Sequence, residues 1–146
     1  MIEMGEELDF DVIKENWSKY KLEDGSILRI KNPTIKIYET EKKDNMGIPI
    51  YRVAGQTLIS STVPAALKGN PSEDESITPK DIGDELKFTI ITEEWSEYKL
   101  SNGVIYRCKT VATKISKTKK FNQLREPIYW CNWQIITDKT MPKLSI

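Results

Sequence analysis

Two sets of tryptophan, arginine and lysine carry most of the chemistry this sequence offers: Trp17, Arg29 and Lys31 return 78 positions later as Trp95, Arg107 and Lys109. An indole plane beside fixed cations can stack a nucleobase and hold a phosphate, or receive an acidic protein surface. The same residues also serve structure, when the guanidinium lies on the ring and lysine stems cover apolar surface. A third use is packing of the two copies against each other through these faces. For so small a set the structural use is favoured. More cations follow in the second copy, where Tyr98 to Arg125 holds eight basic residues (Lys99, Arg107, Lys109, Lys114, Lys117, Lys119, Lys120 and Arg125) and no Asp or Glu. Trp130 and Trp133 stand just beyond, in an alternating stretch that puts one indole in the core and leaves the other outside. An exposed Trp130 near Lys119 and Lys120 would suit base stacking or a protein hot spot equally.

Catalytic chemistry is poorly provided for. The chain has no histidine, which removes the commonest general base and metal ligand. No nucleophile with an adjacent base, no paired carboxylates on neighbouring strands and no glycine-rich phosphate loop occur at usable spacing. The expectation is a protein that is not an enzyme and needs no cofactor. Cys108 and Cys131 stand where the first copy has Ile30 and Val53, so they read as small buried hydrophobes, with a disulfide between them left open. The cluster Glu73, Asp74 and Glu75 lacks the alternation and glycine of a calcium loop and reads as solvated linker.

The elements that must position these residues follow from the repeat. An offset of 78 aligns Trp17 with Trp95, Gly25 with Gly103, Pro49 with Pro127 and Gln56 with Gln134 without a gap, and about 24 of 60 positions are identical. Each copy is near the lower size at which a domain folds alone, so the two are expected to pack together. Residues 1–63 form the first repeat, 64–82 a proline-rich linker that allows a short helix around Pro64 to Lys68, and 83–146 the second repeat. Apolar residues mostly alternate within each copy, with Ile, Val, Thr, Tyr and Trp frequent, which predicts strands throughout. In the first copy they run Leu8 to Lys14, Trp17 to Leu22, Ser26 to Lys31, Thr34 to Thr40, Ile48 to Val53 and Gln56 to Ser61, and adding 78 gives the second. Short strands joined by tight turns point to an all-β fold, a doubled SH3-like or OB-like barrel or sandwich of about five to six strands per copy.

Turn chemistry then sets which side chains share a face. Asp24-Gly25 and Asn102-Gly103 suit a hairpin in which the glycine takes a positive φ. A two-residue loop would mix apolar and charged residues on both faces. A three-residue loop with a glycine bulge pairs Leu22 with Ser26, Tyr20 with Leu28 and Ser18 with Ile30, giving one apolar face. In the second copy that face collects Tyr98, Leu100, Val104, Tyr106 and Cys108. The opposite face carries Trp17, Lys19, Lys21, Ile27, Arg29 and Lys31, and then Trp95, Glu97, Lys99, Ile105, Arg107 and Lys109.

The pattern W-x-x-Y-x-L-x-D/N-G, then R-x-K, then P-I-Y and Q, resembles short uncharacterised prokaryotic, archaeal-type proteins each built from one such unit. The resemblance implies a small β domain from a prokaryote and no activity or site. Overall charge gives no net field, with 22 basic and 22 acidic residues, but it is unevenly placed. Residues 1–75 hold 10 basic and 14 acidic side chains, and residues 76–146 hold 12 and 8. Such a dipole can orient the molecule on a polyanion. The N-terminus has no basic start and apolar run, and no stretch reaches membrane-spanning length, so a cytoplasmic protein without membrane contact is expected. The leading expectation is a non-catalytic tandem β module that binds RNA, DNA or a nucleoprotein chiefly through the second copy. The alternative is a protein-protein scaffold or assembly subunit whose Trp, Arg and Lys face serves repeat packing or homo-oligomer contacts.

Overall fold

A computed structural model describes residues 5–141, and all its regular structure apart from two short three-ten turns is β. The hairpins carrying the Trp, Arg and Lys sets form as the turn chemistry requires. Gly25 and Gly103 take φ +93° and +92°, Leu22 N–H donates to Ser26 O, and Leu100 N–H donates to Val104 O. Strand β3 (Ser18–Leu22) therefore pairs with β4 (Ile27–Lys31) in the bulged register, Ser18 opposite Ile30 and Tyr20 opposite Leu28. Strand β10 (Ser96–Leu100) pairs with β11 (Ile105–Phe121) equivalently, Ser96 opposite Cys108 and Tyr98 opposite Tyr106. Tyr20, Leu22, Leu28 and Ile30 are buried, as are Tyr98, Leu100, Val104, Tyr106 and Cys108.

The remaining strands are β1 (Glu6–Leu8), β2 (Phe10–Lys14), β5 (Thr34–Lys43), β6 (Pro49–Gly55), β7 (Leu58–Thr62), β8 (Ile82–Glu85), β9 (Phe88–Thr92) and β12 (Pro127–Thr140). Three antiparallel sheets result, ordered β7-β4-β3-β9, β1-β5-β6 and β12-β11-β10-β2, with β8 also pairing β11. The sheets do not close, which corrects the expected barrel while leaving the all-β class intact. The second repeat also departs from the first in continuity. Asn32-Pro33 separates β4 from β5, because proline lacks a ladder donor, whereas Thr110-Val111 lets β11 run unbroken. Likewise β6 ends at Gly55, and Trp133 at the matching position leaves β12 continuous.

Strand β2 of the first repeat pairs with β10 of the second, and β9 of the second pairs with β3 of the first. Each core consequently draws on both repeats. One joins Tyr20, Leu22, Leu28 and Ile30 to Leu86, Ile115, Tyr129 and Cys131. The other joins Tyr98, Leu100, Tyr106 and Cys108 to Ile37, Leu8, Phe10 and Tyr51. The two cysteines are thus buried free thiols in different cores.

Matching hydrogen bonds clamp both crossings. Tyr20 OH donates to Glu93 at 2.5 Å and accepts from Ala112 N–H at 2.8 Å. Tyr98 OH donates to Glu15 at 2.8 Å and accepts from Thr34 N–H at 3.2 Å. These partners are again 78 apart. Asn32 Nδ2 donates to Thr110 Oγ1 at 2.8 Å, joining two equivalent positions to each other where the chains of the two repeats cross.

The linker is strapped along the end of the β11–β12 hairpin. Gly69 N–H donates to Arg125 O, Ser72 N–H donates to Phe121 O, and Phe121 N–H donates to Ser72 Oγ. A Cβ on Gly69 would stand 2.7 Å from the Phe121 ring, so a side chain there would have to displace the ring. The short helix allowed near Pro64 is a three-ten turn at Ala65–Leu67, with a second at Pro79–Asp81. Glu73, Asp74 and Glu75 are exposed on this strap.

Candidate binding faces

The outer faces of the two hairpins place the Trp, Arg and Lys sets as strand alternation dictates. Arg29 Cζ lies 4.2 Å from the Trp17 ring centroid and Lys31 Nζ 5.6 Å. Arg107 and Lys109 stand 4.5 and 5.0 Å from the Trp95 ring. Each indole therefore already carries an intramolecular cation, an arrangement worth about 0.5–1 kcal/mol at an exposed site. This is the structural use of the set.

The charges around the stacked pairs differ sharply. In the second hairpin Glu97 stands directly opposite Arg107, with Nε–Oε2 3.4 Å, and Asp138 of β12 approaches its Nη1 at 3.5 Å. Lys14 of the exchanged strand also meets Glu97, at 3.6 Å. In the first hairpin the residue opposite Arg29 is Lys19, and Ser60 of β7 lies on its other side. Among the described residues neither Lys19, Lys21 nor Arg29 is paired with a carboxylate. Lys31 does meet one, Glu15 at 3.5 Å. The first hairpin thus presents Lys19, Lys21 and Arg29 among the hydroxyls of Ser60, Thr62 and Thr92.

The basic stretch of the second repeat does not form one patch. Lys99 is exposed opposite Ile105 and beside Asp11. Lys114 faces outward opposite Asn132. Lys117 is half-buried opposite Tyr129. Lys119 is exposed, but Lys120 turns to the strap, donating to Ser76 O at 2.6 Å and approaching Asp81 at 3.7 Å. Arg125 holds φ +66° at the hairpin tip where the first repeat has Gly47, and its Nε donates to Gly69 O at 3.2 Å.

Trp130 is the exposed tryptophan, 42% accessible, while Tyr129 and Cys131 on either side are buried and Trp133 packs against the core. Trp130 pairs with Ser116, and the register slips between Lys117 and Phe121, where Lys119 and Lys120 stand. Among the described residues neither lysine stacks on the Trp130 ring. Ile59, Ile77 and Ile128 surround it instead. The unpaired cations Lys19 and Lys21 were not singled out by the basic stretch. Their signal was the exchange of Lys19 for Glu97 between otherwise matching copies.

The buried titratable groups among the described residues are engaged in structure. The tyrosine hydroxyls belong to the crossing clamps, and burial together with the Glu93 carboxylate pushes Tyr20 up to about 12. Burial pushes the Cys131 thiol up to about 12 as well, and raises Cys108, so neither is primed as a nucleophile. Among the described residues no group of three or more Cys, Asp or Glu is placed to hold a metal, and no helix is long and apolar enough to cross a membrane. Compared with protein-family models, curated proteins and solved structures, the chain matches none.

Proposed function

We propose that the protein is a non-catalytic cytoplasmic binding module for an anionic partner, RNA or DNA or a nucleoprotein, held chiefly on the outer face of hairpin β3–β4. The observation that carries this reading is the Lys19–Arg29 pair. Like charges directly opposed across a strand pair destabilise it by a few tenths to about 1 kcal/mol, and among the described residues no carboxylate pairs with either cation. A phosphate bridging the two cations would relieve it. In the second hairpin Glu97 fills that role internally, so the weight of the proposal moves from the second repeat to the first. Ser60 and Thr62 add hydroxyl donors of the kind that fix a phosphate backbone.

Fluorescence anisotropy with short single-stranded RNA and DNA, at low and physiological salt, tests the reading. Binding should weaken steeply with salt, and Lys19→Glu should lower affinity by roughly tenfold or more and flatten the salt slope. Lys119→Glu/Lys120→Glu should do less. Absence of binding at low salt sinks the proposal; loss in the double variant alone returns the site to the second repeat. A second reading, a protein scaffold or homo-oligomer, is favoured by the exposed pairs Val12–Ile13 and Ile90–Ile91 on the edge strands β2 and β9. Salt-insensitive self-association would support it.

A further inference from the structure

We infer that the cleft between β7 and the first half of β12 is a strand-addition site for an extended peptide segment that is apolar along one face and basic at one end. Two strand edges meet across this cleft, and among the described residues neither pairs with another strand there. Among the described strands β7 bonds to β4 alone, and β12 to β11 alone. Ile59 of β7 lines one side, and Ile128 to Trp133 of β12 line the other. Ile77 of the strap forms a further wall, and the space is about 700 Å³. Adjoining it, a second space of about 460 Å³ shares Ile59, Ile128 and Tyr129 and continues past Ser60 and Ser61. Together they make a walled slot along open backbone edges, the arrangement that adds a strand through main-chain hydrogen bonds and reads alternate side chains in pockets. The exposed Trp130 and the isoleucines would receive the apolar side chains.

The lining also states the charge of the occupant. No Lys or Arg lines either space, and Glu75 of the strap and Glu126 beside the β12 start stand at the second. A basic residue in the incoming strand complements them, whereas an anionic chain is repelled. This separates the cleft from the anion-binding face proposed for Lys19 and Arg29.

The other repeat shows how the same gap is closed from within. Positions 78 apart put Lys139 where Ser61 stands, and Lys139 spans from β12 to the start of β6. Its Nζ donates to Pro49 O at 3.0 Å, pairs with Asp44 at 3.0 Å and lies 5.6 Å from the Tyr51 ring. A lysine from the edge strand thus does there what Ser61 is too short to do. The open slot at β7 invites a basic group from outside.

The test is a titration of isotopically labelled protein, followed by amide chemical shifts, with a synthetic nonapeptide alternating isoleucine or valine with threonine and carrying lysine at one end. The same peptide with glutamate for lysine is the control. Saturable binding that moves the amides of Leu58 to Thr62 and Ile128 to Trp133 is expected, with the glutamate peptide at least about tenfold weaker. Ser61→Lys, which copies the closed repeat, should abolish binding. Trp130→Ala, at an exposed position that leaves the core intact, should weaken it several-fold and covers the case in which Ser61→Lys misfolds. Lys19→Glu should leave peptide binding unchanged. The inference is overturned if the shifts fall on β2, β9 or the Lys19 face, if both peptides bind equally, or if no saturation is reached at millimolar peptide.

Discussion

The two hairpins share nearly every outward residue and yet present opposite problems to a partner. Around Arg107 the molecule supplies its own counter-charges, Glu97 across the strand pair and Asp138 beside it. Around Arg29 it supplies a second cation. The tryptophan and the stacked guanidinium are common to both, so they mark what the scaffold needs. The residue opposite the arginine marks where the copies part. A motif that repeats is therefore a weaker guide to a binding face than the one position at which the repeat fails.

The comparison rests on two units that are equivalent as scaffolds, and its largest test cuts them apart. Each core takes its hairpin from one repeat and its opposing strands from the other. Severing the chain between Asn70 and Pro71 should leave each half without a cooperative thermal transition, while a one-to-one mixture regains strand circular dichroism and a transition. A half that folds as a stable monomer would break the picture of exchanged cores.

The tyrosine clamps sharpen it next. Tyr20→Phe and Tyr98→Phe should each cost about 1–3 kcal/mol in urea unfolding, because each leaves a buried backbone N–H, of Ala112 or Thr34, without its acceptor. Similar losses are expected; a large effect in one alone would deny the equivalence. The clamp has a pH signature too. Unfolded tyrosine ionises near its ordinary value of 10.0, whereas folded Tyr20 keeps its proton to about 12. The unfolded chain thus loses protons first, and stability present in full below about pH 10 falls as pH rises through that window. The urea midpoint should drop between about pH 10 and pH 12, and less steeply in Tyr20→Phe.

The smallest effect on stability separates the faces most directly. Glu97→Lys removes the counter-charge from the second hairpin, and Lys19→Glu adds one to the first. Each should change stability by no more than about 1 kcal/mol, the first downward and the second upward. Polyanion affinity should move the opposite way, rising in Glu97→Lys and falling in Lys19→Glu, as read by anisotropy. Equal binding by both variants would mean that the cross-strand charge does not set the face.

How much of this was legible in the sequence divides along physical lines. The bulged register was legible because Asp-Gly and Asn-Gly fix the turn locally and only one pairing makes an apolar face. The buried Tyr20 and the exposed Arg29 follow from that register. What alternation cannot say is which sheet a buried face meets, so the exchange of β2 and β9 was invisible. The continuous β11 was hidden for a different reason: transferring breaks from Asn32-Pro33 to Thr110-Val111 ignored that the second pair has no proline. The fate of Lys120 was hidden because a charge count does not see the strap that takes it up. Nothing in the alternation marks the β7–β12 slot, since open strand edges are made by what fails to pair.

The exchanged strands also bear on how the chain is made. A ribosome adding roughly 5–20 residues per second has released the whole first repeat seconds before Tyr98 to Cys108, the partners of Ile37, leave it. During that interval the nascent first half has no complete interior, and its apolar edge strand β2 waits for β10. Folding must then begin largely after synthesis of the second repeat, with contacts far apart in sequence and the slow rates that such topology entails. Nascent-chain burial of Tyr20 and Tyr98 should accordingly appear together and late.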